Sequence, residues 1–344
     1  MVRRSVWFEA PYQVSVHDEP LAELHPDQVL VQTIVSAISA GTELLFYRGQ
    51  VPADMPLDAT LTSLSGEMHY PVCYGYACVG RVIEVGAQLD RAWLGCLVFS
   101  FQPHTTHFTA LTSEVFPLPA ELSAQQAVFL PNMETAVNFL LDGAPLLGER
   151  VVVLGQGVVG LLTTALLAKM PVAQLMVFDR FTLRREKAQR LGAQAVLDPL
   201  NDVARAQELL GEGGADLTYE LSGNPEALNL ALELTGFAGR IIIGSWYGRK
   251  SAALDLGGRF HRSRIRLIGS QVSTVTPDLQ ARWSKARRLD VAWSMLRRVP
   301  VCDLLTHTFS LSEAAQAYAL LDQHPEQALQ VIFNYEGADV HDSR

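Results

Sequence analysis

The stretch Val151-Val-Val-Leu-Gly155-Gln-Gly157-Val-Val-Gly160-Leu-Leu-Thr-Thr-Ala-Leu-Leu167 decides the fold. The unbroken apolar run before Gly155 predicts a buried parallel strand. The apolar run from Gly160 onward has the length of a helix. Between them the three glycines have separate duties. Gly155 permits a tight turn, Gly157 lets a pyrophosphate approach the backbone, and Gly160 lets helix and strand pack closely. The start of the helix offers free N–H groups and a positive dipole end to the same anion. A further run, Leu175-Met-Val-Phe178, ends in Asp179, 19 residues beyond Gly160. A carboxylate that holds a ribose belongs there. Strand, glycine turn, helix, strand and acid together predict a dinucleotide site made by Gly155, Gln156, Gly157, Val158, Val159, Gly160 and Asp179.

Outward from this motif, the pattern alternates between strands and helix-length crossovers. Strands are expected at 151–154, 175–178, 195–197, 217–221, 240–244 and 265–269, which predicts a doubly wound parallel sheet. A long helix is expected over 276–298, followed by strand, helix and strand over 303–335. The first 130 residues read as β-rich. Gln28-Val-Leu-Val-Gln-Thr-Ile-Val-Ser36 alternates apolar and polar residues, and Gly and Pro punctuate the later runs. Ser123 reads as the cap of one helix, and 135–141 as part of another. Residues 50–70 read as a surface loop or lid, and 337–344 as a frayed tail. The fold class is therefore α/β. Residues 131–270 are expected to form the dinucleotide-binding domain. Residues 1–130 and 271–344 together form a β-rich catalytic domain, with the ligand cleft between the two.

Composition narrows the function. At 344 residues, 49% hydrophobic and 18% charged, the chain can bury two cores. The net charge of −9 argues against a nucleic-acid partner. No apolar stretch is long enough to predict a membrane span. The start has no apolar signal region, and the four cysteines form no CxxC pair, so a reduced, cytoplasmic setting is expected. Charge is uneven: residues 240–298 hold thirteen Lys or Arg against three Asp or Glu. Most of these cations read as solvated surface; a few are candidates to meet an anionic ligand.

The order of these segments resembles the medium-chain dehydrogenase/reductase family over nearly the whole chain. Ser39-Ala40-Gly41-Thr42-Glu43 sits where its zinc alcohol dehydrogenases carry Cys-Gly-Thr-Asp. Gly75-Tyr76-Ala77 sits where they carry Gly-His-Glu, and Leu221-Ser-Gly-Asn224 and Gly239-Arg-Ile-Ile-Ile-Gly244 match later strands. The resemblance implies a Rossmann-type nucleotide domain and a GroES-like catalytic domain. It also implies a homodimer, with Ile265-Arg-Leu-Ile-Gly269 as the candidate edge. Ala40, Tyr76 and Leu130 fall at the zinc-ligand positions and Ala77 at the neighbouring glutamate, so neither a catalytic nor a structural zinc is expected. Ile38-Ser-Ala-Gly-Thr-Glu-Leu-Leu-Phe-Tyr-Arg-Gly-Gln-Val-Pro52, Tyr70-Pro71, Trp246-Tyr-Gly248 and Phe260-His-Arg262 resemble the zinc-less subgroup that includes bacteriochlorophyllide dehydrogenase.

Without a metal, another group must polarise the reacting oxygen. Thr42 matches the hydroxyl that relays the proton in the zinc enzymes, and Tyr76 would stand near the old metal position with a phenol to donate. Tyr76 as a space filler and Thr42 as a turn hydroxyl are the structural alternatives. Glu43 is expected to pair with an arginine. Asp179 favours NAD; Arg180 directly after it keeps NADP open. Ser222, Gly244, Ser245 and Trp246 are further cofactor candidates. Trp246 and Tyr247 are candidates for an aromatic substrate wall, and His261 and Arg262 for binding a substrate anion; core packing and surface charge are the alternatives. The reading is a zinc-independent NAD(P)-dependent oxidoreductase that moves a hydride between nicotinamide and the alcohol/carbonyl pair of a small molecule. A quinone- or enoyl-type C=C reductase and a non-catalytic nucleotide-binding regulator are its rivals.

Overall fold

The run at 151–154 is the third strand across a six-stranded parallel sheet in the computed structural model, which describes residues 2–52, 55–58 and 61–335. The tail at 337–344, and residues 53, 54, 59 and 60 of the 50–70 loop, lie outside the described residues. In chain order the first strands are β1 (Val2–Ala10), β2 (Gln13–Pro20), β3 (Gln28–Ala37), β4 (Val72–Cys73), β5 (Cys78–Val85), β6 (Leu97–Ser100), β7 (His107–Leu111) and β8 (Val115–Pro117). The middle of the chain adds β9 (Arg150–Leu154), β10 (Gln174–Phe178), β11 (Ala195–Leu197), β12 (Ala215–Glu220), β13 (Thr235–Ile243) and β14 (Arg266–Gly269). β15 (Leu305–Ser310) and β16 (Gln330–Asn334) complete the set. The helices are α1 (Ala40–Tyr47), α2 (Ala124–Ala127), α3 (Leu130–Gly143), α4 (Val158–Leu167), α5 (Thr182–Arg190), α6 (Val203–Leu210), α7 (Ala227–Leu234), α8 (Lys285–Leu296) and α9 (Ala314–Gln323).

Contacts divide the chain into two units, Met1–Pro131 with Pro300–Arg344, and Asn132–Val299. The second unit holds the sheet β11-β10-β9-β12-β13-β14, parallel throughout. The chain winds outward from β9 to β11, then returns to the other side of β9 and winds outward again. That order places a topological switch point beside β9, where ligands of open parallel sheets bind. Val151, Val152 and Val153 expose no surface, as a strand covered on both faces requires. Val152 and Leu154 pack with Met176, Phe178, Ile241 and helix residues Ala206 and Leu228, while the alternation of a strand turns Val151 and Val153 to the other face.

The first unit is β-rich, as its alternating sequence predicts. β15-β16-β3-β5-β6-β8 form one sheet, with β7 also paired to β3, and β2-β1-β4 form a second. Ser123 caps α2 by accepting from Gln126 N at 3.2 Å. The strand, helix and strand expected over 303–335 are β15, α9 and β16.

The long helix expected over 276–298 is shorter. Pro277–Leu279 is a 3-10 turn, and α8 begins at Lys285, where Ser284 Oγ accepts from Arg287 N at 3.2 Å. Residues 271–299, assigned from sequence to the β-rich domain, group with the second unit. Arg288 on α8 accounts for much of this. It is 1% exposed and donates to Glu134 Oε1 on α3 at 3.0 and 2.8 Å, to Asn138 Oδ1 at 2.6 Å and to the Thr274 carbonyl at 3.0 Å. Burial pushes the Glu134 carboxyl up, and the Arg288 guanidinium opposes that push. Removing one partner of a buried ion pair strands the other charge, at about 3–5 kcal/mol. Arg288→Leu should therefore lower the thermal midpoint on the order of 10 °C, and a melt within experimental error of the parent would refute this role.

Candidate functional site

The second unit places a candidate anion cradle at the end of β9. Gly155 adopts φ +92°, and a Cβ there would stand 2.5 Å from Ser222 Cα, so the turn demands glycine. A Cβ on Gly160 would fall 2.1 Å from the Gly155 carbonyl oxygen, which is why α4 can start so close to the strand. Gly157, the N-cap of α4, is different: a Cβ there meets nothing within 4 Å. No side chain caps α4, so the amides of Val158, Val159 and Gly160 open its first turn. An uncapped helix start beside open space above a glycine fits a pyrophosphate. Gln156 contributes only its backbone. Its side chain is buried, bonding the Gly155 carbonyl at 3.1 Å and the Thr164 hydroxyl at 2.9 Å.

Asp179 follows β10 and is 7% exposed. Its two oxygens accept from Gln156 N at 2.7 Å and Phe181 N at 2.9 Å. The acid thereby ties the β10 turn to the glycine loop, and each oxygen keeps a lone pair for a ribose hydroxyl. Arg184 lies 3.9 Å from Asp179 Oδ2 and covers the Phe181 ring. Arg185 is consumed by the turn, donating to the carbonyls of Asp179 and Arg180 at 2.7 and 2.9 Å. Arg180 is exposed.

Ser222, Gly244, Ser245, Trp246 and Tyr247 follow β12 and β13 at the same end of the sheet. Gly244 is glycine for packing, since a Cβ would meet Phe139 Cζ at 2.3 Å. Trp246 is 37% exposed. The Tyr247 hydroxyl donates to Glu220 Oε2 at 2.5 Å, and its ring packs against the core of the unit, so it takes the packing alternative. Burial first, then the Glu220 carboxylate, pushes its phenol far up. The structure does not bring His261 and Arg262 to this group. They precede β14, and Ser263 accepts from Ala238 N near the amino end of β13. In a parallel sheet that is the end opposite the glycine loop.

In the first unit, Thr42 and Tyr76 do come together. The Tyr76 hydroxyl reaches Ser39 Oγ and, at 3.2 Å, Thr42 Oγ1. Sequence reasoning missed Ser39. It is the N-cap of α1, three positions before Thr42, a spacing that puts both hydroxyls on one helix side. Glu43 finds no arginine. It is fully buried and accepts from Ser39 N at 2.7 Å, His104 Nε2 at 2.9 Å and the Tyr318 hydroxyl at 2.5 Å. His104 Nδ1 continues to Ser36 Oγ at 2.7 Å, and Ser36 to the Tyr335 hydroxyl at 2.8 Å. A carboxylate with no exposure needs these close donors more than a distant cation. Burial pushes the Tyr76 phenol up to about 12, with the bonds to Ser39 and Thr42 pulling the other way. It therefore stays protonated and able to donate at neutral pH. The folded value lies above the ordinary 10, so its stabilising contribution is complete below pH 10 and lost as pH rises towards 12.

Of the four positions that the resemblance marks around a zinc ion, only Tyr76 has a side-chain oxygen. Ala40, Ala77 and Leu130 carry no donor atom. Burial holds the Cys73 thiol up at about 12 and the Cys78 thiol higher still. Cys78 Sγ is engaged with the carbonyls of Gln102 and Pro103 at 3.3 and 3.2 Å. Among the described residues no group of three or more His, Cys, Asp or Glu could hold a metal.

A doubly wound parallel sheet with this glycine turn, in a chain that also holds a β-rich unit, is the architecture of the alcohol-dehydrogenase-like oxidoreductases. The family model described as zinc-binding dehydrogenase matches residues 158–289. D-guloside 3-dehydrogenase of Escherichia coli K12 is 27% identical over 266 residues, covering 75% of this chain and 76% of its own. The 2-desacetyl-2-hydroxyethyl bacteriochlorophyllide A dehydrogenase of Cereibacter sphaeroides is 24% identical over 347 residues, covering 96% and 98%. An alcohol dehydrogenase of Escherichia coli CFT073, solved with NADH, superposes with a TM-score of 0.78 at 19% identity, covering 97% and 99%. Together the model and the relatives support the zinc-binding dehydrogenase family, and the solved structure shows the fold. The stretch matched by the family model lies outside Ala40, Tyr76, Ala77 and Leu130.

The glycines make a discriminating test. Gly157→Ala should fold normally yet weaken reduced-nicotinamide binding at least about tenfold, because the added methyl occupies the phosphate approach. Gly160→Ala should instead destabilise the fold by roughly 1–3 kcal/mol through overpacking. Titration and thermal melting of both variants check this. Unimpaired binding by Gly157→Ala would remove the cradle from consideration.

Proposed function

We propose that the chain is a zinc-independent, NAD(P)-dependent oxidoreductase acting on the alcohol/carbonyl pair of a small molecule, with NAD preferred. When bound, the nicotinamide supplies or accepts the hydride. The chain's own part is to hold the cofactor and to manage one proton. Gly155 to Gly160 would hold the pyrophosphate and Asp179 the adenosine ribose. A buried acid that already accepts two amides suits neutral hydroxyls better than a 2′-phosphate. The name D-guloside 3-dehydrogenase borne by one relative, and the NADH bound to one solved neighbour, support an alcohol substrate and a nicotinamide cofactor.

The observation that carries the reading is the hydroxyl trio Tyr76, Ser39 and Thr42. In the reducing direction the Tyr76 hydroxyl would donate its proton to the oxygen as charge develops there. In the oxidising direction the trio would relay the alcohol proton, one hydroxyl accepting it as another passes its own proton on to water. The phenol serves the first task well because burial keeps it protonated. The Tyr76 hydroxyl donates to Ser39 and Thr42, so a substrate oxygen would replace one of them as the acceptor of its proton. Cytoplasmic location and a homodimer joined at β14, the sheet edge, are further parts of the proposal.

Two measurements decide it. Fluorescence titration should show NADH binding at least about tenfold tighter than NADPH; the reverse order would transfer the preference to NADP. With a substrate found by screening alcohols for nicotinamide reduction, Tyr76→Phe should lower kcat/KM by about 10²–10⁴. A variant as active as the parent, or a stoichiometric zinc in the purified protein by elemental analysis, would defeat the metal-free scheme.

A further inference from the structure

Glu220 is the last residue of β12 and exposes no surface. It stands at the carboxyl end of the parallel sheet, on the side of the switch point away from Asp179. A buried carboxylate at such an end needs donors, and both neighbouring loops supply them. From the loop after β12, Ser222 N donates to Oε1 at 2.8 Å, and the Ser222 hydroxyl donates to the same oxygen. From the loop after β13, the Tyr247 hydroxyl donates to Oε2 at 2.5 Å. One carboxylate therefore joins two loops that have no covalent link near by. Secondary bonds follow the same line: Gly223 N donates to Ser245 Oγ at 2.9 Å, and the Lys250 ammonium donates to the Gly223 carbonyl. Gly223 holds φ +71°, which leaves its own turn dependent on glycine.

A dinucleotide on this kind of sheet lies across the switch point, one mononucleotide on each side. Asp179 serves the adenosine side. The other side must rest on the loops after β12 and β13. We propose that Glu220, through Tyr247 and Ser222, is a positioning residue that sets these two loops as one platform for the nicotinamide half of the cofactor. It does not touch the cofactor; its carboxylate fixes the distance and tilt between the exposed Ser222 and Trp246. This inference rests on the nicotinamide reading above and deepens it. Loops tied together in advance lose less freedom on binding, and that saving appears as affinity.

The experiment titrates wild type, Tyr247→Phe and Glu220→Gln with NADH and with ADP, which carries the adenosine ribose and pyrophosphate alone. Tyr247→Phe deletes one hydroxyl from a half-buried ring and leaves the carboxylate its Ser222 donors, so it keeps the test alive should Glu220→Gln fail to fold. The expected result is NADH affinity lowered about five- to tenfold in Tyr247→Phe, the scale of one hydrogen bond. ADP affinity should stay within about twofold, a smaller change than any one bond accounts for. Thermal melting of the variant should fall by no more than several degrees, the cost of the donor that Oε2 loses. A general structural defect would weaken both ligands together, and that outcome overturns the proposal. So does unchanged NADH binding in Tyr247→Phe. A wild-type chain that binds neither NADH nor NADPH overturns the nicotinamide reading and the platform with it. Wild-type NADH binding with insensitive variants removes the platform alone.

Discussion

The second unit depends on one short approach, that of the Gly160 α-carbon to the Gly155 carbonyl. Any side chain on Gly160 would collide with the Gly155 carbonyl oxygen, 2.1 Å from where its Cβ would stand. Close contact puts the start of α4 directly on the end of the strand. The uncapped amides of the first helical turn then sit where the sheet changes its winding direction. The anion site proposed here would rest on backbone geometry and on the absence of side chains at its glycines. Asp179 extends the constraint by fixing Gln156 N, so the turn after β9 and the turn after β10 move as one.

What the sequence displays well is what depends on local shape. The glycine turn, the apolar strand runs and the position of Asp179 are legible because each demands a residue type at a fixed spacing. Ser123 and its capping partner are legible for the same reason. The partners of buried polar groups are not. Glu43 meets His104, Tyr318 and Ser39, and two of these lie 61 and 275 residues away in the chain. Nothing local marks either one as a donor. Glu220 is hidden for the same cause, since Tyr247 reaches it only after β13 has paired with β12. His261 and Arg262 stayed open between ligand contact and surface charge, because a cationic run before a strand shows charge but not which end of the sheet it occupies. The helix expected over 276–298 erred because Pro277 and the Ser284 cap each set a local boundary inside an otherwise periodic stretch.

The first unit shows how a site can be ordered by burial alone. Glu43, His104 and Ser36 expose nothing, and each polar atom in this line has a neighbour to answer it. Leaving any one of them unanswered in such surroundings costs about 1–3 kcal/mol. The network is therefore held in one arrangement, and the start of α1 is held with it, because Glu43 grips the Ser39 amide. Ser39 then presents its hydroxyl to Tyr76 from a fixed backbone position.

That link between burial and orientation bears on the metal-free chemistry proposed above. A cation stabilises an oxygen by charge and tolerates some error in direction. A hydroxyl does so by direction, because the hydrogen bond weakens steeply once bent. A metal-free centre of the kind proposed would therefore need its hydroxyls held rigidly, by groups that never meet the substrate. Glu43 with His104 fills that role around Tyr76 in one unit, and Glu220 with Tyr247 fills it around the loops of the other. Both are buried carboxylates that tie together segments distant in sequence. The same physical device, an acid denied water so that it must hold its neighbours in place, stands behind the polar groups of each unit.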